Sequence, residues 1–126
     1  MRSVFADRTG LTKQLLRHYL GPFPTPASRE PLFAYLDTIH AANAWFDTLW
    51  AERAALADKP ALLLWGMKDK LVPRSFLARW QEVFANAETL KLEGAGHFVQ
   101  EEASEQVARA VQSFLEKVND LPTSQK

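Results

Sequence analysis

Cysteine is missing from all 126 residues, which excludes disulfides, a thiolate nucleophile and any cysteine-based metal site. Glycine is scarce, with five residues, and none of them builds a phosphate-cradling loop, since Gly94-Ala-Gly96 is too short. An excess of one charge is lacking as well. Fifteen Lys and Arg face fifteen Asp and Glu, for a formal net charge of zero. This excludes an overall basic footprint for nucleic acid and an acidic solvating tail. No apolar run approaches the roughly 18 residues of a membrane helix. Residues 1–10 hold two arginines and only scattered apolar side chains, so they do not read as a signal peptide. The expectation is a soluble, cytoplasmic protein with no nucleic-acid or membrane partner and no cofactor. What is present, 47% hydrophobic and 24% charged residues, is the composition of one modest globular domain with enough length to bury a core.

The texture of the chain changes near Asp58. Residues 1–58 read as helical. Leu11, Leu15, Leu16, Tyr19 and Leu20 recur at helical spacing, and Gly21 followed by Pro22 ends that helix. Gly21-Pro-Phe-Pro-Thr-Pro26 is a stiff extended connector, because Pro sets its own φ and restricts the residue before it. From Pro31 to Ala57, the sets Leu32, Phe33, Leu36, Ile39 and Trp45, Phe46, Leu49, Trp50 predict two helices. They part near Ala42-Asn43, with Asn43 placed to cap the second. The density of aromatics predicts a buried or substrate-covering face.

Residues 59–118 alternate strand and helix. Pro60 to Trp65 is apolar at almost every position, the pattern of a strand buried on both faces in a parallel sheet. Pro73 and Ser75 open a helix with Phe76, Leu77, Trp80, Val83 and Phe84 in one stripe. Glu88 to Leu92 predicts a second strand, and Glu93-Gly-Ala-Gly96 a turn. The last helix runs from Ser104 to Val118, with Val107, Ala110, Val111, Phe114, Leu115 and Val118 inward. Residues 119–126 form a polar, frayed tail. The fold class is α/β: a helical N-terminal segment, then strand, helix, strand, helix with two parallel strands. Two strands are marginal by themselves. The segment therefore reads as the end of a larger sheet, whose free edge a second copy or an N-terminal half would cover.

In open α/β sheets, ligands bind beyond the carboxyl ends of the strands. Trp65-Gly-Met-Lys-Asp69 follows the first strand and Gly94-Ala-Gly-His97-Phe98 the second. An Asp in such a place either caps a turn or accepts a hydrogen bond from an imidazole, fixing its tautomer and leaving the other ring nitrogen as a base. The glycines around His97 allow a tight turn that exposes the ring. Elsewhere the plainer readings prevail. Trp45 and Trp50 read as core, and His18 and His40 as surface or packing residues without metal-ligand spacing. Glu101 and Glu102 read as negative charge favouring the start of the last helix. Lys68 and Lys70 point to water.

Lys59-Pro-Ala-Leu-Leu-Leu-Trp-Gly-Met-Lys-Asp-Lys70 and Gly94-Ala-Gly-His-Phe-Val-Gln-Glu-Glu102 resemble the C-terminal part of α/β-hydrolase-fold enzymes, nearest to the haloalkane dehalogenase-like branch that neighbours the epoxide hydrolases. Upstream, Tyr19 to Arg29 is similar to the end of a helical cap and its return to the core. The resemblance implies that residues 1–58 derive from the cap, residues 59–118 form a βαβα part of the core, and residues 119–126 are a tail. It implies Asp69 as the triad acid and His97 as the base. Some members take the acid from an earlier strand, and Asp69 is then structural. The nucleophile expected in a Gly-x-Ser/Asp-x-Gly elbow is not in these residues, so the chain reads as a C-terminal portion, inactive in isolation. Small apolar organic substrates are implied, with C–halogen, epoxide or ester bonds and either a Ser or an Asp nucleophile. The competing expectation is a non-catalytic module that self-associates or complements an N-terminal half through its open sheet edge.

Overall fold

Helix and strand follow the two textures of the sequence. The computed structural model describes residues 5–122. Two units separate by their internal contacts: Leu11–Ala54 forms one, and the residues up to Gly10 together with those from Ala55 onward form the other. The side chain of His40 and the end of the predicted tail, residues 123–126, lie outside the described residues.

In the unit Leu11–Ala54, helix α1 (Lys13–Leu20) starts where the Thr12 hydroxyl accepts the Leu15 N–H at 3.1 Å. Gly21 ends α1 without a left-handed turn. It keeps φ at −56°, and Pro22 is what cannot continue the helix. Helix α2 (Pro26–Ala41) begins earlier than the Pro31 expected from the apolar pattern. Thr25 and Ser28 cap each other reciprocally, both contacts at 3.1 Å, and Pro26 occupies an N-terminal position where its missing N–H costs nothing. Polar capping residues, not apolar periodicity, therefore mark this start, and the extended connector is correspondingly shorter. Helix α3 (Asn43–Ala51) follows the break at Ala42, as the spacing predicts. Asn43 is its first helical residue and makes no capping bond, because Ala42 occupies the cap position.

The aromatic face expected to be buried is open in this chain. Phe33 and Tyr35 are each 64% exposed and Trp45 is 59% exposed. The reason is geometric: the unit offers no second layer of secondary structure against which its helices can bury a full apolar face.

The other unit holds strands β1 (Leu62–Gly66) and β2 (Glu88–Leu92), paired in parallel from Leu62 opposite Glu88 to Gly66 opposite Leu92. Pro60 has no N–H and stays outside β1, while the Ala61 carbonyl accepts the Glu88 N–H at 3.0 Å. Between the strands runs α4 (Arg74–Val83), with Leu77 buried and Trp80 stacked on Phe84. Phe76 departs from the predicted stripe; it is exposed, with the Arg79 guanidinium over its ring. A one-turn helix, α5 (Val99–Glu102), which periodicity does not reveal, precedes α6 (Ser104–Asn119). On α6, Val107, Ala110, Phe114 and Val118 are half-buried, but Val111 and Leu115 are exposed. Leu62 to Trp65 are likewise only half-buried, because a strand with one neighbour leaves an edge uncovered.

The tightest packing lies at the carboxyl rim of the sheet. Leu92 and Ala95 are at most 3% exposed there, and the buried Phe5 stacks on Phe98 just beyond. Gly66, at the end of β1, has no room for a side chain, since a Cβ would overlap the carbonyl oxygen of Gly96. The close approach is laced by Met67 N–H to the Leu92 carbonyl at 3.0 Å and Lys68 N–H to the Ala95 carbonyl at 2.9 Å. Substituting Gly66→Ala is expected to cost about 3 kcal/mol, the upper range of overpacking, because both obstructing groups are backbone. Urea unfolding checks the loss, and hydrogen exchange checks that the Lys68 amide loses protection first.

Candidate active site

The loop leaving β1 turns on Asp69. Its N–H donates to the Gly66 carbonyl at 3.1 Å, and its Oδ1 accepts the N–H groups of Leu71 at 2.7 Å and Val72 at 3.0 Å. One carboxylate oxygen thus closes an Asx-type turn. The other, Oδ2, lies 2.9 Å from His97 Nδ1. The turn-capping role and the imidazole-pairing role, alternatives at the level of sequence, are filled by two oxygens of the same side chain.

His97 reaches this position from the loop after β2. The turn at 93–96 needs no left-handed backbone: none of the described residues has positive φ, and a Cβ at Gly94 would meet open space. The glycine that matters is Gly66, on the facing loop. A glycine at a strand end signals close backbone approach, and that signal stood in the sequence. The imidazole meets the Phe98 ring edge-on, with centroids 5.3 Å apart. The Asp69 side chain is 10% exposed and that of His97 31%. Beyond Asp69, the ring has no hydrogen-bond partner among the described residues. With Nδ1–H donated to the carboxylate, Nε2 is left as the basic nitrogen.

Burial pushes the Asp69 carboxyl up, but hydrogen bonds from Val72 N–H, His97 and Leu71 N–H together outweigh it and hold the group below its ordinary value. The carboxylate therefore stays ionised beside the imidazole, the state in which both its oxygens accept hydrogen bonds.

The other residues singled out by sequence take lesser places. Lys68 and Lys70 are exposed, and His18 is exposed on α1. Trp50 is half-buried beneath the Arg53 guanidinium, and Trp45 packs on Phe46. Glu102 does not cap α6, which has no side-chain cap; its Oε2 accepts the Ala6 N–H at 2.7 Å. Sequence reasoning misses this contact because its partners stand at opposite ends of the chain. A cleft of about 730 Å³ lies among Asp7, Thr9, Leu92, Glu93, Glu101 and Gln106, and neither Asp69 nor His97 lines it. Among the described residues, no three acidic or His side chains are grouped to hold a metal ion. No helix among them is long and apolar enough to cross a membrane.

The depressed Asp69 value carries a stability consequence. Because the folded group is the stronger acid, its contribution is complete above 3.8, its ordinary value, and is lost as pH falls through the folded value. Acid should therefore destabilise the native chain more than Asp69→Asn over that window. Urea unfolding of both proteins at neutral pH and below that value tests the difference in slope.

Comparison with known proteins agrees with this geometry. The α/β hydrolase fold family matches residues 14–104. Haloalkane dehalogenase 2 of Mycobacterium tuberculosis is 33% identical over 99 residues, covering 77% of this chain and 35% of that protein. A cis-3-alkyl-4-alkyloxetan-2-one decarboxylase of Xanthomonas campestris is 30% identical over 108 residues, covering 80% of this chain and 35% of the relative. The dihydrolipoyllysine-residue acetyltransferase component of the acetoin cleaving system of Pseudomonas putida is 45% identical over 117 residues, covering 93% of this chain and 30% of the relative. The chain spans about a third of the length of these curated relatives. The strand-end Asp, the Gly-His-Phe loop and these matches together identify the chain as a member of the α/β hydrolase fold family, related to its haloalkane dehalogenase-like enzymes.

Proposed function

We propose that Asp69 and His97 are the acid and base of a hydrolytic triad whose nucleophile lies outside these 126 residues. The observation carrying this reading is the 2.9 Å contact between Asp69 Oδ2 and His97 Nδ1, with the imidazole partly open to solvent. Asp69 would hold the ring in the tautomer that keeps Nε2 unprotonated. Nε2 would then take a proton either from a Ser nucleophile or from the water that cleaves an ester formed on an Asp nucleophile. In the Ser route Nε2 passes the proton to the leaving group, and water then cleaves the acyl-enzyme. In the Asp route the product alcohol departs with a carboxylate oxygen and the proton from Nε2, and the attacking water restores the carboxylate oxygen.

Similarity to proteins named haloalkane dehalogenases supports a small apolar substrate with a C–halogen bond, and epoxide and ester bonds are the alternatives for the same acid and base. On this reading, residues 1–58 are the end of a cap and its return to the core. Residues 59–118 are the C-terminal βαβα part of that core, and residues 119–126 a polar tail.

A second reading, an interaction module built on the open sheet edge, is favoured by the half-buried β1 and by the buried indole N–H of Trp65, which has no partner among the described residues. An unpaired buried donor costs about 1–3 kcal/mol, so a rearrangement on association that pairs it would be favourable.

The purified chain is expected to show no saturable turnover of p-nitrophenyl butyrate, 1-bromobutane or styrene oxide. A longer product of the same reading frame, carrying a Gly-x-Ser/Asp-x-Gly elbow, is expected to hydrolyse at least one of them. In that protein, His97→Ala should lower kcat by about 10²–10⁴-fold, the range for loss of an acid–base group. Turnover by the 126-residue chain that vanishes in His97→Ala would contradict the need for an outside nucleophile. Self-association that survives His97→Ala, with no activity in the longer protein, would favour the second reading.

A further inference from the structure

The residues behind His97 form a closed circuit. Ala6 N–H donates to Glu102 Oε2 at 2.7 Å, joining residues 96 positions apart in the sequence. Glu102 N–H and Glu101 N–H both donate to the Phe98 carbonyl at 2.9 Å, so one turn of helix links Glu102 rigidly to Phe98. Phe98 stacks on Phe5 with ring centroids 5.2 Å apart, and Phe5 is the residue before Ala6. The same Phe98 ring lies perpendicular to the His97 imidazole, with centroids 5.3 Å apart. Phe5 is only 5% exposed, so the stacked pair is shielded from water on the Phe5 side.

Glu102 is an unusual choice for such a clamp. Its Oε1 is buried without a partner among the described residues, so the carboxylate is held in place by the single bond to Ala6. A buried carboxylate oxygen without a partner costs free energy, so the Glu102–Ala6 contact is not an ordinary surface hydrogen bond.

We propose that Glu102 is a positioning residue for His97: by gripping the Ala6 N–H it keeps Phe5 stacked on Phe98, and Phe98 supports the imidazole in line with Asp69. This rests on the reading of His97 as the base. Glu102 touches no reacting atom. Its effect reaches the imidazole through the Phe5–Phe98 stack and the turn that joins Glu102 to Phe98, and the quantity it controls is the fraction of His97 protonated on Nδ1.

The test uses the ¹⁵N-labelled 126-residue chain at a pH where its imidazoles are neutral, with long-range ¹H–¹⁵N spectra reading the tautomer of His97, assigned by its loss in His97→Ala. In the native chain the Nδ1-protonated form should dominate. Glu102→Ala should lower that fraction by about half or more, as the ring drifts from its acceptor and returns toward the free-histidine mixture. Glu102→Gln, whose side-chain carbonyl still accepts from Ala6, should retain it. Unchanged β1 amides would show that the sheet persists. Should Glu102→Ala fail to fold, Phe5→Leu decides the matter; it keeps apolar bulk, removes the stacked ring and should shift the tautomer in the same direction. An unaltered tautomer in the folded variant, or a Gln variant that behaves like Ala, overturns the positioning role. A native His97 without the Nδ1 proton, or one indifferent to Asp69→Asn, instead overturns the acid–base reading beneath it.

Discussion

Where β1 ends and the loop after β2 begins, two backbones approach so closely that a carbonyl oxygen occupies the space of a side chain at Gly66. The amides of Met67 and Lys68 are committed to the carbonyls of Leu92 and Ala95. Asp69 stands one residue after this lacing and His97 two residues after Ala95. Their meeting is consequently set by main-chain geometry, with few rotatable bonds between the anchor and each functional atom. Sites built in this way hold their distances better than sites assembled from long side chains, because less conformational freedom has to be suppressed.

The carboxylate at the centre of the pair shows how opposing electrostatic effects resolve. Burial disfavours its charge, yet two backbone N–H groups on Oδ1 and an imidazole on Oδ2 more than compensate. Hydrogen bonds to the charged form win because they are short, several and aimed at both oxygens. The result is an anion with one oxygen assigned to the loop and one to the imidazole. Such a group fixes the orientation of the imidazole that it meets. By contrast, the ion pairs Lys117–Glu88 and Arg109–Glu105 are largely exposed, and pairs of that kind contribute little to stability.

Away from this rim the chain leaves much apolar surface uncovered. Leu36, Trp45, Phe46 and Leu49 are all more than 40% exposed, and the leucines of β1 are half-buried. A two-stranded sheet cannot cover its own edges, and the helices of Leu11–Ala54 have no further layer within their own unit to bury both faces. Three of the four buried hydrophobic residues among the described residues, Phe5, Leu92 and Ala95, lie at this rim, against open surface elsewhere. Relatives in this family are about three times as long as the segment matched here.

Local patterns in the sequence were sufficient for the order and type of the main elements, for the parallel pairing and for the two strand-end loops. Each of these depends on neighbours in sequence: an apolar run, a proline, a Gly-His-Phe loop beyond a strand. Features that depend on two distant segments were not legible. The early start of α2 was hidden because capping by Thr25 and Ser28 overrides apolar spacing. The exposure of Trp45 was hidden because periodicity names a face without saying whether anything covers it. Glu102 looked like a helix-dipole charge until its partner, the Ala6 amide, came from the other end of the chain. That Asp69 and His97 lie on successive strand ends is a property of the sequence by itself. That they touch, at 2.9 Å and with the carboxylate shared between turn and imidazole, was decided only by tertiary structure, because it requires the backbone at Gly66 to pass against the backbone at Gly96.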